Sequence, residues 1–181
     1  MIRQPRKTSD GRQLNRDETY MRAALTEARL ALAAGEFPVG CIIGHETGLL
    51  SRGRRANSRG AAANELDHAE IAALRCLRRD HPDIAPGEVT VYATMEPCLM
   101  CYTTLLLNGI RRIVYAYEDA MGGGTDLDLG PLKPLYRRMR VEIVPHVCRA
   151  ESLELFRQFF TNPGNGYWQD SLLAEYTLRQ S

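Results

Sequence analysis

Apolar positions along this chain change repeatedly between helical spacing and strand spacing. From 16 to 34 they recur every three or four residues, which predicts an amphipathic helix that ends near Gly35. The apolar run at 37–44 predicts a buried strand, and a turn at 45–48 leads into a hairpin partner at 49–55. The chain is therefore expected to begin with a helix followed by a β-hairpin.

The same changes of spacing continue through the rest of the chain. Helices between strands predict a three-layer α/β/α domain, and the early hairpin makes its sheet mixed rather than purely parallel. A loop at 118–130 contains the triple glycine 122–124 and is expected to form a flexible rim. The remaining predicted helices are 68–79, 98–108, 134–139, one around Leu153, Phe156 and Phe160, and 168–177, and the remaining strands are 88–94, 111–117 and 141–144.

Length and charge limit the class of protein. The 181 residues, of which 44% are hydrophobic, are enough for a single domain over 1–181 with its own core. Lys and Arg total 23 against 22 Asp and Glu, so no global charge favours binding to nucleic acid or membrane. The chain has no run of eighteen apolar residues, and its N-terminus (MIRQPRKTSDGR) lacks a hydrophobic targeting stretch. We therefore expect a cytoplasmic protein that does not associate with membranes.

The cysteines suggest chemistry rather than a disulfide framework. They are five, an odd number, and they are scattered along the chain, unlike those of a small secreted domain. A reducing compartment fits better, and there the pair Cys98 and Cys101, directly after Pro97, favours metal or redox chemistry. A thioredoxin-like pair also begins a helix after a strand, so the local pattern leaves the redox interpretation open.

A second polar cluster lies thirty residues upstream, at the start of the preceding predicted helix. Helices that each follow a strand begin at the same edge of a layered α/β domain, so we expect His68 to face Cys98 and Cys101. One nitrogen and two sulfurs suit zinc, and three protein ligands leave one position for water, as in a catalytic site. Glu70 points to a different side of its helix and is expected to transfer protons rather than to bind the metal.

The motif H-A-E at 68–70, together with P-C-L-M-C at 97–101, resembles the signature of zinc deaminases, in which the glutamate is not a ligand. The chain is thus similar to the cytidine deaminase-like superfamily over roughly 16–160, with an aromatic helical tail at 161–181. It looks like the branch that contains bacterial tRNA adenosine deaminases, guanine deaminases and fungal-type cytosine deaminases. The stretches that carry this resemblance are GEFPVGCII (35–43), Asn57, HAEIAALR (68–75), EPCLMC (96–101), RRIVYAYEDA (111–120) and VEIV (141–144).

The resemblance implies a fold, a reaction and several residue roles. The fold would be a mixed five-stranded sheet between helices, often in a homodimer. The reaction would replace an exocyclic amine of a nucleobase or related amino-heterocycle by a carbonyl and release ammonia, with Zn²⁺ as cofactor and Glu70 protonating the ring nitrogen and the leaving amine. By the same resemblance, Asn57 would hydrogen-bond the base, and the backbone at Ala69 and Glu70 would approach it.

The substrate is indicated by departures from the tRNA enzymes. Residues 65–67 (ELD) replace their usual Pro-Thr-Ala run, and residues 102–104 (YTT) replace their Ala-Gly-Ala pattern. The tail at 162–176 is similar to the tail of fungal-type cytosine deaminases, which closes over a free base. On that interpretation Tyr167 or Trp168 walls the pocket and Asp170 accepts a hydrogen bond from an amino group.

Alternatives remain open for the substrate and the tail. We favour a small-molecule nucleobase or nucleoside over tRNA as the substrate, and a non-catalytic zinc-binding subunit is a remote third possibility. Trp168 is spaced by four from Leu172 and Tyr176, so we favour a packing stripe over a pocket wall for this residue. The arginines around Asn57 are interpreted as a solvated face rather than as phosphate contacts. They are Arg52, Arg54, Arg55 and Arg59.

Overall fold

The computed structural model describes residues 10–61 and 63–180. Most of the N-terminal stretch in which we expect no targeting segment lies outside these residues. None of the helices within the described ranges is both long enough and apolar enough to cross a membrane. The helices are α1 (Asp10–Ala33), α2 (Ala69–Asp80), α3 (Leu99–Leu107), α4 (Pro134–Arg137), α5 (Arg149–Thr161) and α6 (Leu172–Arg179), and the strands are β1 (Gly40–His45), β2 (Gly48–Arg54), β3 (Thr90–Met95), β4 (Arg112–Tyr117) and β5 (Glu142–Val144).

The strands form one mixed sheet in the order β2-β1-β3-β4-β5. Strand β1 pairs antiparallel with both β2 and β3, whereas β3, β4 and β5 are parallel to one another. This confirms the predicted mixed five-stranded sheet. Since β2 and β3 both run opposite to β1, their carboxyl ends lie at the same edge of the sheet, and the segments that lead to α2 and α3 leave from that edge.

Alternation along the strands divides the core between the two faces of the sheet. Ile42 and Tyr92 point to the face covered by α1, where they pack with Met21 and Leu25. Their neighbours Ile43 and Val91 point to the opposite face, which is covered by α2, α3 and the aromatic side of α5. Helices on both faces confirm the three-layer arrangement.

Helix α2 packs directly against the backbone of β2, because β2 carries a glycine where the two elements cross. A Cβ atom at Gly53 would lie 2.1 Å from the carbonyl oxygen of Ala69 and 2.6 Å from the backbone nitrogen of Ala73. Real side chains do not reach such distances, so only glycine allows this approach. Gly53 therefore determines how closely the first turn of α2 approaches β2.

The C-terminal segment differs from the prediction of a helix over 168–177. Helix α6 begins only at Leu172, because Ser171 caps it by accepting a hydrogen bond from the Ala174 backbone N–H (3.1 Å). Trp168 precedes the helix with a φ of 55°, in the left-handed region. The predicted helical stripe of Trp168, Leu172 and Tyr176 is therefore wrong, since its first member is not helical.

Candidate active site

The first turns of α2 and α3 bring the three predicted ligands together. His68 Nδ1 lies 3.6 Å from Cys98 Sγ and 3.5 Å from Cys101 Sγ. The three ligand atoms all lie within 4.8 Å of one another. Ligand atoms around a tetrahedral zinc are about 3.5–3.8 Å apart for bonds of about 2.0–2.3 Å, so the distances and the N, S, S donor set both fit this metal.

Local backbone structure explains why these side chains converge. His68 and Cys98 are the N-cap residues of α2 and α3, with extended ψ angles of 159° and 168°. An N-cap side chain lies beside the free backbone N–H groups of the first turn, and the helix dipole there favours negative charge. Cys101 sits in the first turn of α3 and is completely buried. Both thiols therefore lie at the positive end of the dipole of α3, but the burial of Cys101 opposes its deprotonation.

The two thiols are coupled through a shared hydrogen bond. The hydrogen bond from Cys101 lowers the pKa of Cys98 to about 4, and the interaction with His68 acts in the same direction. The same hydrogen bond, followed by burial and the charge of Glu70, raises the pKa of Cys101 well above its usual value. One thiolate thus forms readily, and a bound cation is needed to hold both thiols deprotonated.

Glu70 lies in the first turn of α2 and contacts Cys101. It does not belong to the group of possible metal ligands, which consists of His68, Cys98 and Cys101. Its side chain is only 3% exposed, and its Oε2 accepts a hydrogen bond from Cys101 Sγ at 3.6 Å. Burial raises its pKa above the ordinary carboxyl value. A carboxyl group with a raised pKa can both accept and return a proton near neutral pH.

His68 has a second partner that the sequence analysis missed. Its Nε2 lies 3.2 Å from Glu65 Oε2, on the opposite side of the ring from Nδ1. Burial lowers the pKa of His68, but its hydrogen bond to Cys98 and the charge of Glu70 outweigh burial and raise it. In the sequence alone, residues 65–67 stand out only as a departure from the tRNA enzymes. The spacing of three between Glu65 and His68 was the available signal.

A cavity of about 330 Å³ opens beside the cluster. Its size lies near the lower end of the ~300–1,000 Å³ range of small-molecule sites. Ala69 and Trp168 line it, as the substrate interpretation requires, although Trp168 remains 45% exposed. Its walls are mostly apolar, and the lining also includes His68, Glu70 and Cys98. The apolar lining residues include Phe37, Val39, Met95, Tyr167 and Leu173.

Two predicted substrate contacts lie outside this lining. Asp170 is exposed and does not line the cavity. Asn57 does not line it either, and its Nδ2 donates to Asp67 Oδ2 at 3.4 Å. However, Asn57 Oδ1 is buried and has no hydrogen-bond partner in the described ranges. The role of Asn57 in binding a base therefore stays a prediction, and the position of Asp170 gives its predicted role no support.

The rim loop at 118–130 is fastened by a buried carboxylate. Glu96 Oε1 accepts from the backbone N–H and the hydroxyl of Thr125, and its Oε2 accepts from the Asp119 N–H at 3.2 Å. Asp119 Oδ1 in turn accepts from the N–H groups of Met121 and Gly122. Asp119, Met121 and Gly122 line the cavity, which agrees with the prediction of a rim.

The arginines around Asn57 have different environments. Arg54 pairs with the buried Glu27 at 3.0 Å, and Arg59 donates to the Ala34 carbonyl at 2.6 Å. Arg55 is instead buried, with an exposure of 2%, and lines the cavity. The interpretation of these arginines as a solvated face is thus wrong for Arg55.

The protein is an α/β/α domain that places one nitrogen and two sulfurs at the starts of two helices. This arrangement is typical of a zinc-dependent hydrolase of the deaminase type. The family model of the cytidine and deoxycytidylate deaminase zinc-binding region matches residues 14–117. The chain belongs to this family and is a zinc-dependent deaminase that hydrolyses a C–N bond.

The relatives agree with this assignment. The chain is 30% identical over 154 residues to the tRNA-specific adenosine deaminase of Buchnera aphidicola subsp. Schizaphis graminum, with 82% of this chain and 96% of the relative covered. It is 29% identical to the tRNA-specific adenosine deaminase subunit tad2 of Schizosaccharomyces pombe, over 79% of this chain but only 36% of that longer protein. A structure from studies of A-to-I editing by tRNA:A34 deaminases at the wobble position is 26% identical, with a TM-score of 0.64 and coverage of 76% and 98%.

Proposed function

We propose that this protein deaminates a small nucleobase or nucleoside that binds in the cavity beside Glu70. The observation that supports this choice most is the C-terminal segment, because Tyr167 and Trp168 form part of the cavity wall. The Tyr167 hydroxyl lies 3.1 Å from both carboxylate oxygens of Glu65. The C-terminal segment is therefore held to Glu65, the residue that contacts His68 Nε2. A segment held there limits the room for a polymer and favours a compact substrate.

The metal ligands of the proposed site are His68, Cys98 and Cys101. When bound, zinc lowers the pKa of a water molecule and makes it a nucleophile near neutral pH. Cys98 and Cys101 balance the metal charge, and Glu65 orients the His68 ring. The apolar walls exclude bulk water from the amino-heterocycle, which strengthens the interactions of the few polar groups.

Glu70 is the proposed proton carrier. Its buried carboxylate can take one proton from the attacking water and deliver it to the ring nitrogen, and it can then take the second proton from the hydroxyl group formed on the ring carbon and deliver it to the leaving amine. The amine departs as ammonia, and the ring carbon keeps the oxygen as a carbonyl. The raised pKa of Glu70 suits both steps, because the group must be deprotonated at the start and protonated halfway.

A second candidate function is deamination of adenosine in tRNA. It is favoured by the relative of 30% identity, which is a tRNA-specific adenosine deaminase covered over 96% of its length. Against it, Arg54 is paired with Glu27 and Arg59 is bound to a backbone carbonyl, so these cations are already engaged.

A cytoplasmic location and a homodimer remain further proposals, and the free state of the five cysteines agrees with a reducing compartment.

Ammonia release by the zinc-loaded protein distinguishes the two candidates. The panel consists of free bases, nucleosides, nucleotides and an anticodon stem-loop that carries adenosine. Release from a base or nucleoside, with none from the stem-loop, supports the proposal. Release from the stem-loop alone overturns it in favour of the tRNA candidate.

A further inference from the structure

Arg55 is a buried cation whose hydrogen-bonding capacity the chain does not use up. Its Nη2 donates to the Asn64 carbonyl at 2.7 Å and to Glu65 Oε2 at 2.9 Å, and it lies 3.5 Å from the Tyr167 hydroxyl. Its Nε and Nη1 are buried and have no partner among residues 10–61 and 63–180. A guanidinium group has only donors, and leaving buried donors unpaired costs free energy.

These donors lie just behind the wall of the active-site cavity, on a side chain that is itself part of the lining. Arg55 lines the same cavity as His68, Ala69 and Glu70. Glu65 Oε2 connects Arg55 Nη2 with His68 Nε2, at 2.9 Å and 3.2 Å, so the guanidinium is two hydrogen bonds away from a metal ligand. A substrate placed next to Glu70 therefore shares a cavity with a cation that has two unpaired donors, and these donors must turn towards the cavity to reach it.

The other cavity residues do not supply the missing acceptor. Phe37, Val39 and Leu173 are apolar, and the Tyr167 ring lies under the guanidinium with its centroid 5.8 Å from Cζ. The carboxylate of Glu96 is occupied by the rim loop. The acceptor that completes the site is therefore expected to come from the substrate.

We propose that Arg55 is a substrate-binding residue that selects an oxygen acceptor on the amino-heterocycle. This proposal rests on the deaminase function proposed above and narrows its substrate class. A ring carbonyl, as in guanine or cytosine, provides such an oxygen, and so does an anionic phosphate on a nucleotide. The base of adenine offers ring nitrogens only, so Arg55 favours amino-oxo heterocycles or nucleotides over free adenine.

The test compares matched ligands on wild type and Arg55→Gln, both loaded with zinc. Guanine is compared with 2-aminopurine, which lacks the ring oxygen, and cytidine 5′-monophosphate is compared with cytidine. The kcat/KM for ammonia release and the Kd by calorimetry are measured for each. We expect Arg55→Gln to weaken the binding of guanine or of the monophosphate about 10- to 100-fold, which corresponds to the loss of one hydrogen bond to a charged group. Its effect on the matched ligand without that oxygen should be smaller than about 3-fold.

Arg54→Gln is the matched control. Arg54 lies one residue earlier, is half exposed and pairs with Glu27. Arg54→Gln should therefore leave the Kd and the kcat/KM of all four ligands unchanged. Zinc content and melting temperature are recorded for each variant. If Arg55→Gln does not fold, Arg55→Lys replaces it, since Lys keeps the charge but lacks the guanidinium fork, and the same selective loss is expected.

The outcomes separate the two proposals. Selective loss with guanine assigns the ring carbonyl, and selective loss with the monophosphate assigns the phosphate. An equal loss for both members of each pair overturns the proposal and makes Arg55 only a support for Glu65 and the tail. Absence of ammonia from every ligand, with selective binding intact in calorimetry, contradicts the deaminase function but supports Arg55. Failure of wild type to bind any of the four ligands overturns the Arg55 proposal.

Discussion

The Nε2 atom of His68 lies 3.2 Å from Oε2 of Glu65, while Nδ1 on the other side of the ring faces the two cysteine sulfurs. A carboxylate at Nε2 holds the proton there and leaves the Nδ1 lone pair for a metal. Glu65 also binds Arg55 and Tyr167, so one side chain links the proposed metal site, the cavity wall and the C-terminal segment.

Replacing Glu65 should weaken zinc binding without abolishing it. In Glu65→Ala the His68 ring loses its orienting partner, and loss of such a partner typically lowers metal affinity about 10- to 100-fold. The zinc Kd is measured by competition with a chelator. Glu46→Ala, at an exposed turn position, is the control and should bind zinc like wild type. An unchanged Kd in Glu65→Ala would show that Glu65 does not orient the ligand.

Adding one methyl group at Gly53 should disturb the site from a distance. A Cβ atom at Gly53 would overlap the Ala69 carbonyl, so α2 must move away from β2 and carry His68 and Glu70 with it. We expect Gly53→Ala to lower the free energy of unfolding by about 1–3 kcal/mol and to reduce zinc affinity. Gly87→Ala is the control, because a Cβ at Gly87 meets no atom within 4 Å. Wild-type stability and zinc affinity in Gly53→Ala would contradict this prediction.

Two neighbouring residues of the tail should differ in their effect on substrate binding. Trp168 lines the cavity, whereas Asp170 is exposed and lies outside the lining. Trp168→Ala is expected to raise KM about 3- to 10-fold through loss of aromatic contact, and Asp170→Ala to leave KM unchanged. Steady-state kinetics on the preferred substrate measures both. A raised KM in Asp170→Ala would restore the hydrogen-bonding role that the tail resemblance implies.

Glu118 should stabilise the fold by an amount that depends on pH. Burial alone would raise its pKa, but hydrogen bonds from Arg149 and Tyr176 outweigh burial and lower the pKa to about 2, and His146 also faces the carboxylate at 3.4 Å. A lowered pKa in the folded state means that the stabilisation is present above the ordinary value of 4.5 and is lost as pH falls towards 2. Wild type should therefore exceed Glu118→Gln in free energy of unfolding at pH 7.

The pH series provides the check on Glu118. Unfolding of both proteins by denaturant is measured from pH 7 down to pH 3, and the difference between them should shrink below about pH 4.5. Changes common to both proteins, such as protonation at the metal site, cancel in this difference. A difference that stays constant over the whole range would show that the contribution of Glu118 is not electrostatic.

Much of the fold and of the proposed metal cluster followed from the sequence because local spacing encodes them. The apolar run at 37–44 predicted the buried strand β1, and the motifs at 68–70 and 97–101 predicted side chains at helix starts. Arg55 could not be placed in this way, since its burial depends on Tyr167, which is 112 residues away. The left-handed turn at Trp168 likewise depends on how the tail packs, so helical spacing from Trp168 was misleading.

The proposed roles of water and Glu70 are tested by deamination in ¹⁸O-labelled water with zinc-loaded wild type and zinc-loaded Glu70→Gln. Wild type is expected to release one ammonia for each product molecule, and each product should carry one labelled oxygen. Glu70→Gln should retain zinc and lose activity by about 10²- to 10⁴-fold, because its side chain cannot transfer the protons. Turnover of Glu70→Gln at the wild-type rate would contradict the role of Glu70 as proton carrier, and ammonia release without the label in the product would contradict hydrolysis by water.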